Sequence, residues 1–402
     1  MTGTGGGARR VTTRAEIHQI DDILYSRADS DGIIRTVNDA FARFSGHSAA
    51  QLAGQSHHVL RDPQTPGAIY DLLWRKLGTR QPTATYLCSR TRAGESYWVL
   101  AIVLPLEDGF ISLHLPPRAE IFADVPGIYR ESVAREDEDR TDPDRNGITL
   151  RRLALARGFP GYDSFVACAL AQEFAARGIM GTPAADLRGR ALSAMTESLV
   201  LGMQGQVGLI RSFEGLQLIP NNMQIVASRL EPTGGPVSAI AENYRASSRG
   251  ISRRLQAFVG HDEGLCELAA RGLSHVLILL GAIRMLRDVG QEMSDAERGQ
   301  LKATGPRLAL AAQRAVGETI AASARVSRAG AEIRRHMLAL DTIRVLGRVE
   351  CCRMQEAGGL ASTIDQLDVF HAEIRSRLET IVQLSEVIGA AMGEVQAMAI
   401  PG

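Results

Sequence analysis

The sequence predicts an α+β domain in the first third of the chain, followed by a long all-α region of coiled-coil or helical-bundle type. Three observations predict it. Residues 31–115 alternate short apolar runs with turns marked by glycine and proline. Residues 118–147 break that texture with the charged run Glu136-Asp137-Glu138-Asp139-Arg140-Thr141-Asp142-Pro143-Asp144, too polar to contribute to a core. Past residue 190 apolar residues recur at helical spacing in segments rich in Ala, Leu, Glu and Arg.

Residues 1–13 are polar and glycine-rich and read as a disordered arm. No strand precedes Gly3-Thr4-Gly5-Gly6-Gly7 to make it a phosphate loop. The α+β domain is expected over 14–118. Asp31-Gly32 marks a hairpin turn before the strand Ile33-Ile34-Arg35-Thr36-Val37. Asn38 can cap a short helix beginning Asp39-Ala40-Phe41, and Ser45-Gly46 ends it. Ala49-Ala50-Gln51-Leu52 forms a further helical turn closed by Gly54. From Pro66 the positions Ile69, Leu72, Leu73 and Leu77 fall at helical spacing, with Pro66 in the first turn. Strands follow over 83–90, 96–104 and 110–115.

Residues 119–190 are expected to be an acidic linker with connecting helices. Residues 191–402 form the helical signalling or dimerisation region, with helices over 191–212, 235–258, 264–289, 295–346 and 360–398. The sharpest interruption is 220–236, and Gly358-Gly359 makes another.

A chain of 402 residues holds two or three domains. Its 45 basic and 45 acidic residues cancel, which argues against a nucleic-acid binder. Five cysteines without CxxC spacing indicate neither a disulfide framework nor a zinc site, and fit a reducing, cytoplasmic setting. No run reaches the ~20 apolar residues that span a bilayer, and no signal peptide is evident. G-x-S-x-G, P-loop and H-E-x-x-H motifs are absent. His261-Asp262-Glu263 suggests a phospho-accepting histidine, but no Gly-rich ATP-binding region follows, so the chain reads as no enzyme.

The chemistry-bearing residues cluster around the turn His57-His58-Val59-Leu60-Arg61-Asp62-Pro63. Arg61 supplies a planar charged fork suited to a pyrophosphate or carboxylate. Trp74 and Trp98 offer flat apolar faces for a ring system. Asn38 can donate and accept towards a heterocycle edge. Each also has an ordinary structural role open to it: core aromatic, helix cap, or salt-bridged surface arginine. His57-His58 raises haem or metal ligation, but adjacent imidazoles point apart and no Cys or carboxylate cluster completes a site.

These residues lie in an ordered series: Val37-Asn38-Asp39-Ala40-Phe41, Phe44-Ser45-Gly46, Gln51-Leu52-Ala53-Gly54, His57, Arg61, Pro63, Pro66, Trp74, Gly94 and Tyr97-Trp98-Val99. The series resembles a PAS domain of the type found in bacterial aerotaxis receptors. The resemblance implies a five-stranded antiparallel sheet with helices over one face and a flavin (FAD) in the groove between them. His57, Arg61 and Trp74 would hold the flavin, and Asn38, Asp62 and Trp98 complete the candidate cofactor-binding set. The chain departs from the family in Asp62-Pro63-Gln64, where His-Pro-Asp is usual, and in His47, where a tyrosine is usual.

The helical half more loosely resembles the cytoplasmic part of chemoreceptors. Asn221-Asn222-Met223-Gln224-Ile225-Val226-Ala227-Ser228-Arg229-Leu230-Glu231 stands where the hairpin tip would be, and Pro236-Val237-Ser238-Ala239-Ile240 where the helix returns. That implies a homodimer and a chemotaxis kinase or coupling protein as partner. The Gly- and Glu-rich tip is replaced by Glu231-Pro232-Thr233-Gly234-Gly235-Pro236, and the few Gln/Glu pairs, such as Gln172-Glu173 and Gln355-Glu356, predict no methylation sites. The expectation is a redox or oxygen sensor with a helical output; the alternative is a cofactor-free interaction and dimerisation module that scaffolds a partner.

Overall fold

The computed structural model describes residues 22–138, 154, 158–159, 161–179, 235–259, 264–291, 295–353 and 358–397, with scattered positions between 194 and 225. The N-terminal arm, the acidic run beyond Glu138, His261-Asp262-Glu263 and Gln355-Glu356 lie outside the described residues. So does most of the helix expected over 191–212 and of the 220–236 interruption.

Five antiparallel strands, β1 (Leu24–Ala28), β2 (Ile34–Val37), β3 (Thr83–Arg90), β4 (Ser96–Leu106) and β5 (Gly109–Leu115), form one sheet in the order β2-β1-β5-β4-β3. Asn38 caps α1 (Asp39–Ser45) by accepting from the Phe41 N–H, and Gly46 ends it at φ 71°. Ser48 and Gln51 form a capping box on α2 (Ala49–Leu52). A 3-10 turn at His57–Leu60 leads to α3 (Gly67–Gly78). Pro66 is the N-cap residue of α3 and offers no side-chain acceptor, so the helix is capped from elsewhere. The Glu136 carboxylate accepts from the Gly67 and Ala68 N–H groups at 2.9 and 3.0 Å. Glu136→Ala should lower stability by about 1 kcal/mol and speed amide exchange at Gly67 and Ala68. Unchanged exchange at both would rule the cap out.

Glu136 belongs to a segment the sequence reading takes for a break. A 3-10 turn at Glu120–Asp124 and α4 (Val125–Glu138) occupy it. Its few apolar residues are well spaced: Phe122 and Tyr129 pack on Trp98 with ring centroids 5.5 and 5.4 Å apart. The Tyr129 hydroxyl also donates to the Tyr86 carbonyl at 2.9 Å. The charged residues Arg130, Glu131 and Arg135 of α4 are exposed, while Glu136 turns in to cap α3.

The helical region comprises α5 (Tyr162–Arg177), α6 (Gly235–Val259), α7 (Leu265–Gly290), α8 (Asp295–Arg353) and α9 (Gly358–Ala397). At 59 residues, α8 is about 90 Å long. Helix α9 returns antiparallel to it: Gly347 faces Ile364, Gly330 faces Val382, and Ser385 donates to the Ser323 carbonyl. In a second core cluster without sheet residues, Tyr244, with His371 and Asp341, links three of these helices. The Tyr244 hydroxyl lies 2.6 Å from His371 Nε2, and His371 Nδ1 lies 2.9 Å from Asp341.

Helix α5 joins sheet and helices into one continuous core. On its sheet side Glu173, wholly buried, accepts from the Tyr86 hydroxyl and the Arg118 N–H, and Thr85 bonds the Tyr162 hydroxyl at 2.6 Å. On its other side Ser164 donates its N–H to Glu267 of α7, and Asp163 pairs with Arg271 at 2.6 Å. Helix α7 is long and apolar enough to cross a membrane, with mean hydropathy 1.5 over its most apolar window, yet 72% of that window is buried inside the fold. Its apolar surface is spent on neighbouring helices.

Candidate functional site

A cleft opens on the face of the sheet that carries α1 to α3. Strand alternation builds its floor: Phe110, Ser112 and Ser89 point into it from β5 and β3, and His114 closes its end. The 3-10 turn supplies His57, His58 and Arg61, and α3 supplies Tyr70 and Trp74. Its volume is about 60 Å³.

His57 is fixed by two bonds. Its Nδ1 lies 3.2 Å from the Gly32 carbonyl, which can only accept, so Nδ1 carries the proton and Nε2 accepts from the Ser26 hydroxyl at 3.1 Å. Burial, joined by the charges of Arg61 and His58, pushes its pKa down to about 4 against the pull of the Gly32 carbonyl. The ring is therefore neutral at pH 7. Burial and the neighbouring His57 lower His114 to about 3. His114 Nδ1 is buried and has no hydrogen-bond partner among the described residues. An orphaned polar atom on a residue that lines a cleft is a ready contact for a ligand.

Arg61 spreads its guanidinium over the Tyr70 ring, 3.9 Å from the centroid. Its backbone forms a β-bridge with Ser89, which tethers the turn to the sheet edge. Trp74 meets Phe110 edge-on at 5.9 Å. A Cβ at Gly32, held at φ 80°, would lie 2.8 Å from the indole, so only glycine lets the ring rest on the β1–β2 turn.

The cleft thus brings together His57, Arg61 and Trp74 of the candidate set. It does not bring in Asn38, Asp62 or Trp98. The Asn38 amide is spent on the backbone, accepting from the Tyr25 and Phe41 N–H groups and donating to the Ile23 carbonyl. Asp62 anchors the turn to the sheet edge instead. Burial pushes its pKa up, but the Gln64 N–H, the Ser96 hydroxyl and Arg90 outweigh that and hold the carboxyl below its usual range. Trp98 points from the opposite face of β4, towards Phe122 and Tyr129. Sequence reasoning missed Tyr70, Ser112 and His114; the one signal for the last two is the i, i+2, i+4 register of Phe110-Ser112-His114 on β5.

A five-stranded antiparallel sheet in this order, with short helices over one face and a cleft beneath them, defines a PAS sensor domain. The family model of the PAS fold matches residues 13–109. Among curated proteins, the aerotaxis receptor of Escherichia coli (strain K12) is 30% identical over 142 residues, 34% of this chain and 28% of the receptor. The nitrogen fixation regulatory protein of Klebsiella pneumoniae is 36% identical over 133 residues, 33% of this chain and 25% of that protein. The chain thus spans about a quarter of the length of these relatives. A light-oxygen-voltage domain studied with a flavin analogue is 16% identical, covering 30% of this chain and 87% of that domain, with a TM-score of 0.23. The blue-light activated histidine kinase EL346 of Erythrobacter litoralis is also 16% identical, with a TM-score of 0.23, covering 46% of this chain and 73% of the kinase chain.

Proposed function

We propose that this chain is a cytoplasmic, non-catalytic sensor of redox state or oxygen that holds FAD in the cleft and reports through its helices in a chemotaxis-like pathway. The observation that carries the reading is the orphaned His114 Nδ1 in an aromatic-walled cleft with Arg61 at its mouth. The donor set fits a flavin: imidazole and hydroxyl groups for a heterocycle edge, and an arginine for a pyrophosphate. The volume fits only after movement, because about 60 Å³ is far below the roughly 300–1,000 Å³ of ligand pockets. Trp74 and Arg61, at the rim, are the groups whose rotation would open it.

A bound flavin supplies reversible electron uptake with a change in the hydrogen bonds its rings make. The chain's part is to hold and report. Arg61 would bind the phosphates, Trp74 would cover the rings, and neutral His57 and His114 would meet the polar edge without adding charge. Strand β5 would carry the report. Its inner residues Phe110, Ser112 and His114 line the cleft, while Ile111, between the first two, faces α7 and α8. A shift of β5 would bias the packing of those helices between two arrangements. A second copy of the chain, through the helical region, and a chemotaxis kinase or coupling protein are the partners this reading calls for.

The test is the visible spectrum of protein expressed with flavin supplied, followed by heat release and chromatography. Arg61→Ala should reduce bound flavin at least about tenfold, the worth of a charge-assisted contact. Full occupancy in that variant would sink the assignment. The closed volume favours a second reading, a cofactor-free interaction module in which Trp74 simply fills the core. Colourless protein would then be found, and Trp74→Ala would cost about 3–5 kcal/mol of stability.

A further inference from the structure

We infer that the cavity between the outer face of the sheet and helices α7 and α8 is a second ligand site, built for a small amphipathic anion: an apolar or aromatic body bearing a carboxylate, sulfonate or phosphate. The cavity measures about 670 Å³ and lies on the opposite side of the sheet from the cleft. Pockets for small molecules fall in the range of roughly 300–1,000 Å³. Tyr25, Leu104 and Ile111 line it from the sheet, and Leu279, Leu308 and Ala311 from the helices, so its walls suit an apolar body.

Its charges suit an anion. Four arginines and three carboxylates line it. Two carboxylates are already engaged, Asp108 with Arg27 at 2.6 Å and Glu107 with Arg307 at 2.9 Å. Arg80 and Arg314 have no carboxylate partner among the described residues. Glu318, one turn beyond Arg314 on α8, sets the end that an anionic group avoids. His275, which Lys76, Asp163 and Arg271 also face, lines the same cavity as a neutral imidazole able to donate or accept.

Arg80 is the sharper indication. It is the one non-glycine residue with positive φ, 55°, among the described residues. It sits just past the end of α3, where its N–H bonds the Leu77 carbonyl and the Gln81 N–H bonds that of Lys76. That is the helix-ending motif in which glycine is strongly preferred, because a side chain there is strained. An arginine at a glycine position, lining a cavity and without a carboxylate partner among the described residues, points to a ligand as its partner.

The probe is 8-anilinonaphthalene-1-sulfonate, titrated by fluorescence into the full chain, with uncharged N-phenyl-1-naphthylamine as comparison. The sulfonate should bind one-to-one and more tightly than the neutral dye. Arg80→Gly and Arg314→Ala should each weaken it about tenfold, and Ala311→Trp, which fills the cavity, should abolish it. Arg80→Gly should also keep or raise the unfolding midpoint, since glycine relieves the strained backbone. Binding that survives both arginine variants, or equal affinity for the neutral dye, would overturn the site. A lower midpoint in Arg80→Gly would show that the arginine serves packing, and would overturn it too.

Discussion

Lowering the pH from 7.5 to 5 is expected to cost this protein about 4 kcal/mol of folding stability, above the range in which ordinary carboxylates protonate. His57 and His275 are held near pKa 4 and His114 near 3, in each case chiefly by burial, against an ordinary value of 6.5. Below 6.5 the unfolded chain takes up these protons and the folded one does not, so stability falls with pH by about 2 kcal/mol for each histidine by pH 5. Glu267 works in the opposite sense. Burial raises it to about 7, against the bonds from Ser164, so the folded state binds its proton first and regains about 2 kcal/mol over the same interval. Urea midpoints at the two pH values measure the net loss. His114→Phe, which keeps an aromatic ring and removes the titration, should cut that loss by about half. A flat profile would mean the imidazoles are not held neutral.

Gly109→Ala is expected to be the most damaging single-methyl addition in the sensor domain, at about 3–5 kcal/mol. Gly109 opens β5 directly after the two-residue turn Glu107-Asp108, paired with Leu106 across the hairpin. Its φ is 146°, and a Cβ there would lie 2.0 Å from the Ala28 carbonyl oxygen, which is backbone and cannot rotate aside. Gly94, also at positive φ but with nothing within 4 Å of a Cβ, is the control. Gly94→Ala should cost only the conformational penalty of about 1 kcal/mol. Equal unfolding midpoints for the two variants would show that the hairpin gives way freely and that the close approach has no energetic weight.

The fold was legible where sequence pattern and final environment agree. Strand β3 spans the residues expected, β4 and β5 differ by one or two at their ends, and α6 and α7 match within a residue. Turn glycines and helical periodicity are local signals, and nothing tertiary overrides them here. The site was legible in part. His57, Arg61 and Trp74 meet in one cleft, yet Trp98 points the other way. The reason is that both faces of β4 are covered: seven consecutive residues, Trp98 to Leu104, are buried, so the alternation that tells inside from outside is erased. His114 escaped notice for the same reason, since Phe110 to Leu115 on β5 are all buried. Helix α4 escaped because its charged residues outweigh, in composition, the aromatics Phe122 and Tyr129 that dock this segment.

That double coverage also limits modularity. Many small sensing units can be cut out and exchanged between outputs as cassettes. This one gives up Tyr86, Trp98, Leu100 and Ile102 to water if the chain is severed after β5, and strands Glu173's partner Tyr86 without an acceptor. A chimera would therefore have to carry α4 and α5 with the sheet. The unit that evolution could shuffle here is larger than the domain boundary suggests.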